Sequence, residues 1–217
     1  MVRGIVFDLD GTLVDTLGDI ALVMNRILRD RGWPEHPVGD YRHMVGRGLL
    51  NLVRAAVPEW AASDLDALYA HALECFDALG SGSSRPYPGV IEALGRLAAT
   101  GAPMAIVSNK PDEVAGRVVA DLFPAVRFGL VRGNVDGVPV KPHPAGALEA
   151  AASLGLHPSE CAFVGDSDVD MATALAAGMA PVGAAWGFRG EAELRGAGAV
   201  LILSSMDEVP GLVGMEL

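Results

Sequence analysis

Four short polar clusters, each following an apolar run, hold the residue types best suited to chemistry. Asp8 and Asp10 flank Leu9 and precede Gly11 and Thr12. Alternating side chains bring the two carboxylates near one another, and the glycine permits a turn. Ser108, Asn109 and Lys110 offer a hydroxyl, an amide and an ammonium, and Lys141 opens a Lys-Pro-His-Pro segment whose prolines fix its backbone at small entropic cost. Gly165-Asp166-Ser167 ends another apolar run, and Asp170 follows four residues after Asp166. Carboxylates gathered at one place repel unless they are compensated. Lys141 supplies one positive charge, and a divalent metal is the natural source of the rest. Oxygen ligands with little His or Cys indicate a hard ion, Mg²⁺.

These clusters need a scaffold that brings them together. Residues 4–7 form a buried, β-branched run that breaks at Asp8. From residue 16 to 31 the spacing turns helical, with Leu17, Ile20, Ala21, Met24, Ile27 and Leu28 on one face. Two more helical stripes follow, Leu49 to Ala56 and Leu65 to Phe76, the second with Ser63 as its candidate cap. The segment GSGSSRPYPG at 80–89 reads as a hinge. Beyond it, strands at 103–107, 127–131, 161–164, 181–185 and 201–203 alternate with helices at 90–99, 111–122, 145–154 and 170–177. Alternation of this kind predicts an α/β fold: a Rossmann-like, mostly parallel sheet flanked by helices. Residues 1–15 and 86–217 form the expected core, with 16–85 inserted as an all-helical cap. Three clusters then fall at the carboxyl ends of strands and Lys141, just before helix 145–154, at the same edge, where open parallel sheets bind ligands. A cap rooted beside that edge can act as a lid.

Composition narrows the partners. The 217 residues carry a formal net charge of −11, and Lys110 and Lys141 are the two lysines. A chain this acidic, with no basic run, is not expected to bind nucleic acid or an anionic membrane. Two cysteines, Cys75 and Cys161, make neither a disulfide framework nor a zinc site. With no signal-like or spanning segment, a cytoplasmic monomer or homodimer is expected. No GxGxxG follows a strand and no GxxxxGK[ST] occurs, so dinucleotide and NTPase readings fail.

DLDGTLVD at 8–15, VSNK at 107–110, VKPHP at 140–144 and VGDSDVDMATALAAGM at 164–179 resemble, in order, the four motifs of the haloacid dehalogenase superfamily. The phosphoglycolate phosphatase-like group, which also has a helical cap after its first motif, is the nearest resemblance within it. The resemblance implies an aspartyl-phosphate mechanism. Asp8 is the implied nucleophile and Asp10 the general acid, Ser108 a donor to the phosphoryl group, and Lys141 the neutralising cation that orients Asp8. Asp8, the backbone carbonyl of Asp10, and Asp166 are the implied Mg²⁺ ligands, supported by Asp170. The chemistry agrees, since a carboxylate attacks a phosphate dianion only where charge is neutralised. A second carboxylate two residues on can carry the proton.

The implied substrate is a small phosphorylated metabolite, 2-phosphoglycolate first, with sugar phosphate or pyrophosphate as alternatives. A phosphohexomutase is disfavoured by Thr12, where such relatives commonly have Val, and a non-catalytic relative by the complete set of core residues. Thr12 and Asn109 are further expected substrate contacts. Arg47, between Gly46 and Gly48 in the cap, is the candidate for pairing with a substrate carboxylate, because its planar fork suits one. Lys110 is expected at most to neutralise an acidic rim, His143 to be structural and Asp168 to be solvated. Trp186 and Phe188 are expected either to line the cleft or to pack.

Overall fold

The computed structural model describes residues 1–217, the side chain of Ala62 apart. Eight strands and eight α-helices follow one another along the chain. Strand β1 (Gly4–Phe7) leads to a two-residue strand β2 (Val14–Asp15) and then to helix α1 (Leu17–Asp30). Helices α2 (Leu49–Ala56) and α3 (Leu65–Leu79) follow, each preceded by a short 3-10 segment. The chain then returns through β3 (Arg85–Pro86), which pairs antiparallel with β2. Next come α4 (Val90–Thr100), β4 (Met104–Pro111), α5 (Asp112–Leu122), β5 (Leu130–Asn134) and α6 (Ala145–Ser153). The series closes with β6 (Cys161–Gly165), α7 (Asp168–Ala177), β7 (Ala180–Ala184), α8 (Glu191–Gly196) and β8 (Leu201–Leu203).

Six of the strands form one parallel sheet in the order β5-β4-β1-β6-β7-β8. Its central strands are buried on both faces, and the strand period of two divides their side chains between two apolar layers. Ile5 and Phe7 pack on one side with Met104, Ile106, Ala162 and Val164. Val6 packs on the other with Ala105, Val107, Cys161 and Phe163. Few aromatics are needed because Ala, Val and Leu from α4, α5, α6 and α7 fill both layers.

The helices between β2 and β3 have a separate apolar cluster built from Leu17, Ile20, Met24, Ile27, Leu28, Leu52, Val53, Leu68, Ala72 and Phe76. It extends to Val114 of α5 and to Phe188 after β7, so the helical insert rests on the sheet's carboxyl edge. No helix among the described residues is long and apolar enough to cross a membrane.

Several element ends depart from the sequence reading. Strand β4 runs on through Ser108, Asn109 and Lys110 instead of stopping at 107. Strand β5 begins three residues later than the predicted 127, because Ala105 pairs with Leu130 and Phe128 packs edge-on against Phe123. Helix α7 begins at Asp168 rather than 170, since Ser167 is its cap. Helix α3 is preceded by Asp64, not capped by Ser63.

Candidate active site

Asp8 follows the last residue of β1, and its N–H donates to the Val164 carbonyl (2.9 Å), which fixes it beside the end of β6. Asp166 lies just past β6, and Asp170 sits in the first turn of α7. One carboxylate oxygen from each of Asp8, Asp166 and Asp170 lies within 4.8 Å of the others, and all three residues are buried. Two glycines make this approach possible. A Cβ on Gly11 would strike the Asp166 carboxylate, and one on Gly187 would strike both Asp166 and the Gly11 carbonyl. Only residues lacking a side chain fit there.

Lys141 enters from the segment before α6, with Nζ 2.7 Å from Asp8 Oδ1 and 2.7 Å from Asp170 Oδ1. Burial works against its charge, but Asp170 and Asp8 outweigh that and raise its pKa. Burial, reinforced by Asp170 against the pull of Lys141, pushes the Asp8 carboxyl up to about 7. Asp166 is raised well above the carboxylate range by burial, then by Asp170 and Asp8. One ammonium therefore does not balance three carboxylates. The cluster has the oxygen donors and the excess negative charge that a hard divalent cation requires, so the residues present fit such an ion.

Asp170 has a second task. Its Oδ2 accepts from the Ser167 N–H (3.1 Å) and Ser167 Oγ (2.7 Å), closing a capping box at the start of α7. Asp10 stands apart from the three clustered carboxylates. Its side chain takes Lys110 Nζ at 3.1 Å in a largely buried pair. Asp8, Asp10, Ser108, Lys110, Lys141 and Asp166 form the polar floor of a cavity that opens to solvent. Its roof is apolar: Ile20, Leu49, Leu52 and Phe76 from the helical insert meet Val114 and Phe188 from the core.

Of three residues expected on the substrate, Asn109 lines the cavity and Thr12 and Arg47 do not. Thr12 is fully buried behind the floor, where its Oγ1 lies 3.4 Å from Asp166 Oδ1 and its carbonyl accepts from Trp186 Nε1 (2.9 Å). Asn109 reaches the cavity with its amide already engaged. Nδ2 donates to the carbonyls of Gly46 (2.8 Å) and Lys141 (2.9 Å), and Oδ1 accepts from the Lys141 N–H (2.9 Å). Arg47 is not among the residues that line the cavity. Its Nη2 donates to Asp168 Oδ2 (2.7 Å) in an exposed pair, which also gives Asp168, expected to be solvated, a partner in the insert.

Two features were not anticipated. The Phe188 N–H donates to Asp166 Oδ2 (2.7 Å), and Arg189 lines the cavity. Phe188 was visible only as an aromatic after a short strand. Arg189 gave no signal beyond its residue type. His143 caps locally, its Nδ1 accepting from the Ala145 N–H (3.2 Å), and burial pushes the Cys161 thiol up to about 11.

A parallel sheet with an inserted helical roof thus carries, at its carboxyl edge, a buried carboxylate cluster with one lysine that suits a hard cation. The profile of the haloacid dehalogenase-like hydrolases matches residues 2–178, and the chain belongs to that superfamily. The phosphoglycolate phosphatase of Xylella fastidiosa is 34% identical over 187 residues, covering 86% of this chain and 82% of the relative. That of Photorhabdus laumondii is 33% identical over 219 residues, covering 99% and 93%. A crystal structure described as a predicted phosphoglycolate phosphatase from Haemophilus somnus superposes with a TM-score of 0.88 at 29% identity, covering 97% of each chain. The chain is therefore an enzyme of the phosphatase-like hydrolase group with cap helices.

Proposed function

We propose that this enzyme is a Mg²⁺-dependent phosphomonoester hydrolase that works through an aspartyl-phosphate on Asp8. The observation that carries the reading is the buried Asp8–Asp166–Asp170 cluster with Lys141 on two of its members. Asp8, Asp166 and the backbone carbonyl of Asp10 would hold the ion, with Asp170 supporting it. Bound there, Mg²⁺ supplies neutralisation of the phosphoryl oxygens.

The chain's own groups account for the remaining chemistry. Asp8 attacks phosphorus, the ester P–O bond breaks, and Asp10 gives its proton to the departing alkoxide. Asp10 then takes a proton from the water that attacks the aspartyl-phosphate, which releases inorganic phosphate and restores Asp8. Lys141 orients Asp8 and offsets charge, and Ser108, on the cavity floor, donates to the phosphoryl group. Thr12 and Asn109 position Asp166 and Lys141. In this reading residues 1–15 and 86–217 act as the catalytic core and 16–85 as its cap.

The names of the relatives support 2-phosphoglycolate as the substrate. A second reading, an organic phosphate with a larger, partly apolar alcohol half, is favoured by the apolar roof that Ile20, Leu49, Leu52, Phe76, Val114 and Phe188 form over the site. The test is hydrolysis of a panel containing 2-phosphoglycolate, sugar phosphates and pyrophosphate, after chelation and again with added Mg²⁺. Near-total loss and recovery is expected, with a thermal stabilisation by Mg²⁺ that Asp166→Asn abolishes. Full activity in chelated buffer would contradict the reading.

A further inference from the structure

We infer that Arg189 is the side chain that reads a carboxylate or other anionic group on the alcohol half of the substrate. The inference rests on the phosphatase reading above and names a specificity residue for it. Arg189 follows β7 and Phe188, and its side chain is 11% exposed while lining the cavity.

The cavity's cations differ in how their charge is matched. Lys141 contacts two carboxylates at 2.7 Å each, and Lys110 contacts Asp10 at 3.1 Å. Arg189 has one carboxylate within 4.0 Å among the described residues, Glu193, whose Oε1 stands 3.7 Å from Nε. That is beyond hydrogen-bond length, and Glu193 is 40% exposed, so water screens the pair. The closer contacts of Arg189 are to neutral acceptors. Nη1 lies 2.8 Å from His43 Nδ1, and Nη2 donates to the Val45 carbonyl at 3.2 Å. A guanidinium cannot accept, so His43 is the acceptor there.

A mostly buried cation beside an apolar wall, without a close anion, favours an anionic ligand. One N–H on each terminal nitrogen remains uncommitted in the described contacts, and the planar guanidinium is suited to gripping a carboxylate. Arg47, the residue expected in this role, has its charge matched by Asp168 on the outside of the molecule. Because His43 and Val45 belong to the helical insert, Arg189 also couples an anion in the cavity to the seating of the roof.

The test compares 2-phosphoglycolate with phenyl phosphate, whose leaving group carries no second charge. The readout is the ratio of kcat/KM for the two substrates in the parent, Arg189→Ala, Arg189→Lys and Arg47→Ala. Arg189→Ala is expected to lower the ratio by about 10- to 1000-fold, the order for losing a charge-assisted pair. Arg189→Lys keeps the charge without the fork and should fall between. Arg47→Ala should shift both substrates together. Calorimetric binding of both compounds to Asp8→Asn protein, with and without Arg189→Ala, should show the same selective loss. An unchanged ratio in Arg189→Ala, or a fall confined to Arg47→Ala, would overturn the assignment. So would a parent enzyme that hydrolyses phenyl phosphate and ignores 2-phosphoglycolate. Absence of turnover on both substrates would instead sink the phosphatase reading, and the calorimetric comparison would still decide the role of Arg189.

Discussion

At the scale of single residues, Lys141 governs the electrostatics of the centre. It is 5% exposed and joins Asp8 to Asp170, while Asn109 anchors its backbone through both N–H and carbonyl. Removing it would leave three buried carboxylates without their ammonium. Breaking a buried pair in this way costs about 3–5 kcal/mol. Lys141→Ala is therefore expected to lose stability of that order in metal-free denaturant unfolding, and a loss below about 1 kcal/mol would show the cluster to be screened by water. That Asp8, Asp10, Ser108, Lys141 and Asp166 would gather at one edge of the sheet was legible from their places near predicted strand ends, and all five line the cavity floor. What was not legible was direction. Nothing in a sequence says that Asn109 spends its amide on Gly46 and Lys141, or that Thr12 faces inward to Asp166. Arg47 and Arg189 are equivalent as letters, and packing alone sends one outward and the other into the cavity.

At the scale of elements, the joint between helical insert and core is fastened by Asp19 of α1. Its Oδ1 accepts from the N–H (2.9 Å) and hydroxyl (2.6 Å) of Ser83, and its Oδ2 from those of Ser84 (2.8 and 2.5 Å). The outgoing and returning chains are thereby tied next to the β2–β3 pair. Burial alone would raise the Asp19 carboxyl, but the hydrogen bonds from Ser83 and Ser84 outweigh it and hold the pKa below its ordinary 3.8. The folded state thus favours the ionised form. Its stabilising contribution is present above the unfolded value and is lost as pH falls through the folded one. Asp19→Asn is expected to cost about 1–3 kcal/mol at neutral pH, because an amide cannot accept from all four donors. The gap between variant and parent should narrow below about pH 4. A gap that widens on acidification would contradict this account of the joint. The hinge region was readable from its Gly, Ser and Pro content, but the fastener was not. Two-residue strands carry no periodicity, and Asp19 lies 64 residues from Ser83. The early start of α7 escaped for a related reason, since Asp170 serves both the helix cap and the carboxylate cluster.

At the scale of the whole molecule, the roof packs on Val114 and Phe188 of the core, and polar contacts around residues 43–47 join it to the floor. Asn109 reaches the Gly46 carbonyl, Arg189 reaches His43 and the Val45 carbonyl, and Arg47 reaches Asp168. The last of these is exposed, at 57% and 40%, and exposed pairs contribute about 0.2–1 kcal/mol. A double-mutant cycle on Arg47 and Asp168 should give a coupling in that range by denaturant unfolding, and a coupling above about 2 kcal/mol would make the pair a structural lock. The central proposal is that Asp8, on the floor of this cavity, takes the phosphoryl group covalently. The most direct measurement is rapid acid quench of the Mg²⁺-loaded enzyme during turnover, followed by mass analysis of the peptide that contains Asp8. A peptide carrying one phosphoryl group on Asp8, formed and lost at rates consistent with kcat and absent in Asp8→Asn, is the predicted result. Turnover without any phosphorylated Asp8, or an Asp8→Asn enzyme that retains more than about a hundredth of the parental rate, would contradict it.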